Sequence, residues 1–203
     1  MYIARHSKQI IRPLHRAGAI EKTMMGRYNI SNHSLEGSLL RAGGNMSIVK
    51  FYRGDPSAPK PNMPAHLGAN AIIVWDDKLL LERRRDSDTW GLIGGGVKKR
   101  ETELQAIFRE IYEELGVRVK KSDVQKLAVY GEPGRIAAYR DGSVWRMVIV
   151  LFGVVLQEKP ILIMSEESKE LRFFSREEIE KLDIVVTHSD IVDDWFCKRT
   201  WWK

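Results

Sequence analysis

Three carboxylates crowd little more than one turn of a predicted helix. Glu110, Glu113 and Glu114 lie in the stretch Arg109-Glu110-Ile111-Tyr112-Glu113-Glu114-Leu115-Gly116. Like charges three and four residues apart on a helix repel by a few tenths of a kcal/mol per pair. At about 100° per residue, Leu104, Ile107, Phe108, Ile111 and Leu115 fall in one buried stripe, and the glutamates fall on a neighbouring face. Carboxylates converging at the rim of a core suit a hard divalent cation, Mg2+ or Mn2+, which shares its shell with water and substrate phosphates. Taken alone, Glu-x-x-Glu-Glu reads more simply as a solvated acidic face.

The helix that carries them has clear ends. Thr102 and Gln105 form a capping-box pair at its start, and Gly116 stands just past its end. Ahead of it, Ala69–Trp75 reads as a strand, Asp76-Asp77 as a turn, Lys78–Arg83 as the returning strand, and residues 91–96 as a glycine-rich loop. Behind it, Val124–Tyr130, Ile136–Tyr139, Val144–Leu156 and Leu171–Phe174 read as strands, with Arg140-Asp141-Gly142-Ser143 turning one hairpin. Ser175 and Glu178 open a further helix through a second capping box, and a terminal helix is expected over 189–198 with His188-Ser189-Asp190 as its cap. Short strands mixed with two or three helices predict an α/β or α+β fold with a mixed sheet packed between helices.

The spacing beyond the helix overturns the plain reading. It resembles the signature of the Nudix hydrolases: Gly, five residues, Glu, seven residues, Arg-Glu-aliphatic, one residue, Glu-Glu, one residue, Gly-aliphatic. Gly95, Glu101, Arg109, Glu110, Ile111, Glu113, Glu114, Gly116 and Val117 fill its fixed positions. The family also places Trp-x-aliphatic-Pro-Gly-Gly before the helix, and Trp90–Gly95 matches except that Ile93 replaces the proline. The resemblance implies a Nudix-type α/β/α sandwich. It implies metal binding by Glu113, Glu114 and the Gly95 carbonyl, with Glu110 a further ligand or the base that orients water. Arg109 would hold loop and helix together through Glu101. The implied chemistry is hydrolysis of a diphosphate in a small nucleotide, a (d)NTP or a nucleoside diphosphate derivative, with Mg2+ as cofactor. ADP-ribose or a nucleotide sugar is the alternative substrate, for which Pro133 is a weak sign. A catalytically inactive ligand-sensing or RNA-binding module is the alternative of another class, disfavoured because every box carboxylate is present.

Other residues are candidates at the edge of this site. Arg83 and Arg85, from the run 83–85 at a strand end, are candidate phosphate contacts. Trp90 is a candidate for stacking on a base, weighed against packing the loop. Glu167 is favoured over Glu166 and Glu170 as a distal acidic ligand. Tyr139 and Trp145 either touch a base or fill a sheet face. Cys197 has no activating partner in the sequence, and Trp195, Phe196, Trp201 and Trp202 suit core or dimer packing.

Composition bounds the rest. The chain has 203 residues, 43% hydrophobic and 30% charged, enough for a core. Its single cysteine excludes an internal disulfide framework and fits a reducing, cytoplasmic setting. No apolar run approaches the roughly 18 residues of a membrane span. The net charge of +6 sits mostly in residues 1–45, which hold seven basic and two acidic side chains, so it argues little for a nucleic-acid partner. Residues 54–64 carry four prolines and read as a linker. The expected division is therefore a basic extension and linker, 1–63, and a hydrolase domain, 64–203. Gly43-Gly44-Asn45 before Met46 suggests a purine-rich ribosome-binding site, so 46–203 is expected to be a complete enzyme. A mitochondrial presequence and an accessory arm are the rival readings of 1–45.

Overall fold

The computed structural model describes residues 49–197, and the expectations for residues 1–48 and for Trp201 and Trp202 lie outside them. The chain runs β1 (Val49–Arg53), β2 (His66–Trp75), β3 (Lys78–Arg84), β4 (Trp90–Gly91), β5 (Ile93–Gly96), α1 (Glu103–Leu115), β6 (Val124–Tyr130), β7 (Arg135–Tyr139), β8 (Val144–Val155), β9 (Ser168–Phe174), α2 (Arg176–Ile179) and α3 (Val186–Cys197).

The β2–β3 hairpin sets the architecture. Asp76 and Asp77 both take positive φ, 51° and 56°, as a two-residue turn between twisted strands requires. The two strands pair only next to that turn, at Val74↔Leu79 and Trp75↔Lys78. Further along, β3 pairs with β4 and β2 pairs with β5, so the segment 90–96 fills the gap between the splayed strands. β8 lies parallel to β2 from His66↔Met147 to Val74↔Val155. β6 and β7 run antiparallel to β8, β1 extends the sheet beyond β7, and β9 flanks β3.

Strand alternation divides the core into two layers. Ala69, Ala71, Ile73, Leu80, Val150, Phe152 and Val154 face Ala106, Ile107, Ile111 and Leu115 of α1. Ile72, Leu79, Leu81, Ile149 and Leu151 face Ile191, Val192, Trp195 and Phe196 of α3. Each large aliphatic so buried contributes about 1.5–3 kcal/mol relative to exposure. The result is a mixed sheet between helices, the α/β sandwich expected.

Four details differ from the sequence reading. Val49–Arg53, upstream of the expected linker, is a strand paired to β7 along its whole length. The proline-rich stretch behind it is pinned down: the Asn62 and Met63 amides donate to the Val144 carbonyl, and the Val144 amide donates to Asn62 Oδ1 at 2.8 Å. The glycine-rich segment is not a loop, because Gly94–Gly96 form most of β5. The terminal helix begins at Val186, so His188 and Ser189 lie inside it rather than capping it.

Candidate active site

The carboxylates are presented by β5 and α1, and glycine makes the junction. Gly94 has φ +139°, and a Cβ there would stand 2.2 Å from the Ala69 carbonyl oxygen. Only glycine lets β5 lie this close to β2. A Cβ on Gly95 would meet Glu110 Oε1 at 2.5 Å. α1 opens on Thr102, whose side chain and that of Gln105 bond reciprocally to each other's amides, and closes on Gly116 at φ 68°.

Arg109 ties strand to helix. Its Nε and Nη2 donate to the two oxygens of Glu101 at 2.9 and 3.0 Å, and Nη2 also donates to the Gly96 carbonyl at 3.0 Å. Nη1 donates to Glu110 at 2.6 Å and to Glu113 at 3.0 Å. The bonds from Arg109, with the Lys98 amide, hold Glu101 down to about 2.

Two of the three helix glutamates are buried. Glu114 accepts from the Gly94 amide at 3.1 Å, and Glu110 lies under Gly95. Glu113 stands at the rim with its side chain 51% exposed and Lys98 Nζ 3.9 Å away. A fourth glutamate joins from β3: Glu82 is buried, accepts from Ser168 Oγ at 2.7 Å and pairs with Arg84 at 3.2 Å. Burial pushes Glu82 and Glu110 above the ordinary glutamate range although Arg84 and Arg109 oppose the shift. Glu114 is pushed up to about 9, first by burial, then by the Glu82 and Glu110 charges.

The donor set fits a hard divalent cation. Buried carboxylate oxygens carry charge that the protein leaves under-compensated, and glycine at 95 keeps open the space beside Glu110. Among the described residues, no three acidic, histidine or cysteine side chains stand grouped as a ligand cage. In this arrangement the Arg109 guanidinium holds Glu110 and Glu113, while Glu114 faces Gly94.

The flanking candidates are distributed differently from their sequence reading. Arg83 pairs with Asp88 at 2.9 Å on the surface. Arg85 is spent on structure, donating to the Glu166 and Ser168 carbonyls at 2.7 and 3.1 Å. Arg84, between them, is the arginine at the site, held by Asp86 at 2.7 and 3.0 Å and by Glu82. Trp90 packs edge-on against Phe174, ring centroids 4.7 Å apart, in the layer under α3. Glu167 is exposed, but its charge reaches Glu82 and helps to raise it. Sequence reasoning missed Glu82, Asp86 and Ser168, and within the run 83–85 it singled out Arg83 and Arg85 rather than Arg84. The available signal was parity: Glu82 lies two residues after Leu80 and so faces α1.

Compared with family models, residues 64–195 match the NUDIX domain. The chain belongs to the Nudix hydrolase family. Nudix hydrolases cleave pyrophosphate bonds and use divalent metals. A nucleoside triphosphatase, NudI, of Enterobacter sp. strain 638 is 31% identical over 97 residues, 47% of this chain and 67% of that protein. An RNA pyrophosphohydrolase of Francisella tularensis is 28% identical over 137 residues, 66% of this chain and 79% of that one. The Nudix fold recurs in a bifunctional NMN adenylyltransferase/ADP-ribose pyrophosphatase from Francisella tularensis, complexed with AMP and a manganese ion. Its TM-score is 0.56 at 19% identity, covering 68% of this chain and 43% of that one, so this chain spans less than half of the bifunctional protein. Among the described residues, no helix is long and apolar enough to cross a membrane.

Proposed function

We propose that this Nudix hydrolase is a cytoplasmic, Mg2+-dependent pyrophosphohydrolase of a small nucleotide, a (d)NTP or a nucleoside diphosphate derivative. The observation that carries the reading is the one-sided charge of the buried site. The charges of Glu82 and Glu110 both reach Glu114, and all three carboxyls are held above their ordinary range. Glu110, Glu113, Glu114 and the Gly95 carbonyl would hold the metal. Held there, a divalent cation would supply charge neutralisation of the diphosphate and polarisation of its phosphorus. Glu110 would also be the group that accepts the proton of the attacking water. Arg109, locked to Glu101 and Gly96, orients Glu110 and keeps the helix against β5. Arg84 provides positive charge on the opposite wall.

The test is a substrate panel with product analysis: the eight common (d)NTPs, ADP-ribose, a nucleotide sugar and a 5′-triphosphorylated oligonucleotide, each with and without Mg2+. Release of a monophosphate and pyrophosphate from a (d)NTP supports the reading. AMP plus ribose 5-phosphate moves the protein to ADP-ribose, and exclusive turnover of the oligonucleotide moves it to RNA ends. Absence of metal-dependent hydrolysis across the panel overturns it.

A further inference from the structure

Leu92 alone separates β4 from β5, at the point where the chain leaves β3 and takes up β2. Trp90 and Gly91 stand in register with β3, and Ile93–Gly96 with β2, so Leu92 belongs to neither ladder. The residue is fully buried, and a buried amide left without a partner is costly. Its acceptor comes from far along the chain: the Leu92 amide donates to His188 Nδ1 at 3.1 Å.

The surroundings of His188 suit it to that bond. The residue is 7% exposed, in the first turn of α3. Gly91 makes room for the ring, since a Cβ there would stand 3.3 Å from Nδ1 and 3.2 Å from Arg84 Cδ. Backbone bonds fasten the approach to α3 against β4: the Trp90 amide donates to the Asp183 carbonyl and the Val185 amide to the Trp90 carbonyl, both at 2.8 Å. Burial, then the Arg84 and Arg135 charges, bring the imidazole down to about 3, with Asp86 opposing. At neutral pH the ring is therefore uncharged, and a bare Nδ1 leaves its proton on Nε2.

Just beyond Leu92 the same segment meets the acidic cluster. The Gly94 amide donates to Glu114 Oε2 at 3.1 Å, and a Cβ on Gly95 would stand 2.5 Å from Glu110 Oε1. So close a fit leaves little play between the segment and α1. Ile93 stands where the family signature has a proline, so no ring fixes the backbone at that position. At the crossover the holding group is the imidazole.

We propose that His188 is a positioning residue for the reaction: through the Leu92 amide it sets the segment 92–95 so that the Gly94 amide stays on Glu114 and the Gly95 carbonyl is held for the metal. The assignment rests on the metal reading above and deepens it. A misplacement of about 1 Å at a reacting centre costs on the order of a hundredfold in rate. One bond from α3, packed on the other layer of the core from α1, thus bears on the chemistry through the backbone alone.

The experiment compares the full-length wild type with His188→Leu, of similar volume but without an acceptor, and His188→Asn, whose Oδ1 takes the place of Nδ1. Amide hydrogen exchange of Leu92 and Gly94 is followed by NMR without metal. Mn2+ affinity is measured by electron paramagnetic resonance without substrate, and kcat and KM at saturating Mg2+ on the substrate that the panel identifies. His188→Leu is expected to speed exchange of both amides about tenfold or more. It should weaken Mn2+ binding and lower kcat about tenfold each, with KM within about twofold of wild type. His188→Asn is expected to bring each quantity most of the way back. In the wild type, 15N shifts should show Nδ1 bare and Nε2 protonated at neutral pH, and a protonated Nδ1 would overturn the bond itself. A lower melting temperature in His188→Leu with Mn2+ affinity and kcat unchanged would overturn the assignment and leave His188 as scaffold. So would His188→Asn losing as much as His188→Leu. Should His188→Leu fail to fold, His188→Gln, whose acceptor lies one bond further out, takes its place with the same expected losses and the same overturning result. The exchange and Mn2+ readouts need no substrate, so they stand whatever the hydrolysis panel gives. Wild type that binds no Mn2+ would overturn the metal reading and this assignment together, whereas equal Mn2+ binding by wild type and His188→Leu overturns this assignment alone.

Discussion

Two buried polar clusters lie in this sheet, and they are charged in opposite styles. Under α3, Arg135 is 0% exposed and pairs with Asp190 at 2.7 Å and Glu132 at 2.6 Å, while Arg53 reaches Asp190 at 3.1 Å. Two guanidiniums face two carboxylates. Beside α1, the six carboxylates of Glu82, Asp86, Glu101, Glu110, Glu113 and Glu114 face Arg84, Arg109 and, at the rim, Lys98. The first cluster is balanced and fastens β1, β7 and α3 together. The second is left acidic and holds carboxylates above their ordinary range, which a merely structural network would neutralise. Burial of charge alone therefore does not separate scaffold from chemistry here. The sign of what remains uncompensated does.

Substitutions on the two sides should behave oppositely. The largest effect is expected from Glu110→Gln, which keeps shape but removes the proposed proton acceptor. With Mg2+ and the substrate identified by the panel, kcat should fall by about a thousandfold. In EDTA the melting temperature should stay level or rise, because the folded site already disfavours the charged form of this group. Near-normal turnover would place Glu110 on the structural side.

Asp190→Ala should do the reverse. It strands Arg135 with part of its charge unpaired in the core, costing about 3 kcal/mol in urea unfolding. Turnover per folded molecule should be little changed. A fall in kcat without loss of stability would blur the distinction.

A smaller effect is expected from pH. An unfolded glutamate titrates near 4.5, and Glu114 in the fold is pushed up to about 9. Between those values the folded chain holds a proton that the unfolded chain has lost, so metal-free stability falls as pH rises. The slope approaches 1.36 kcal/mol per pH unit for one full proton. Urea unfolding in EDTA from pH 5 to 8 should show this decline, and Glu114→Gln should flatten it. An unchanged slope in the variant would show that Glu114 is not the group responsible.

The smallest effect is expected from Arg83→Ala, whose partner Asp88 is half exposed: less than about 1 kcal/mol in stability and an unaltered KM. A raised KM would return Arg83 to the substrate.

What the sequence disclosed follows from the range of the interactions. α1 was legible end to end because a capping box, a helical stripe and a terminal glycine are all local signals. Asp76–Asp77 and most strands were legible for the same reason. β1 was not, since Val49–Arg53 acquires its meaning from β7, more than eighty residues away. Glu82 was hidden within the apolar run of β3, and only the arrival of α1 on that face makes it part of the acidic cluster. The arginine run was read without its partners: Asp88 draws Arg83 outward, the 166–168 backbone occupies Arg85, and Arg84 remains at the site.

β8 carries a consequence for how the protein comes apart. Its twelve residues are bordered by β2, β6 and β7, so few of its amides are released by fraying at an edge. In native-state hydrogen–deuterium exchange, the amides of Ile149–Val154 should be among the last to take up deuterium, opening only when the whole molecule does. The two-residue β4, bonded at one end to the 183–185 turn, should exchange early. The protein would then be clocked by its centre: the unfolding free energy reported by β8 would equal that of the entire domain, while the gap between the splayed strands beside it would breathe on a faster schedule.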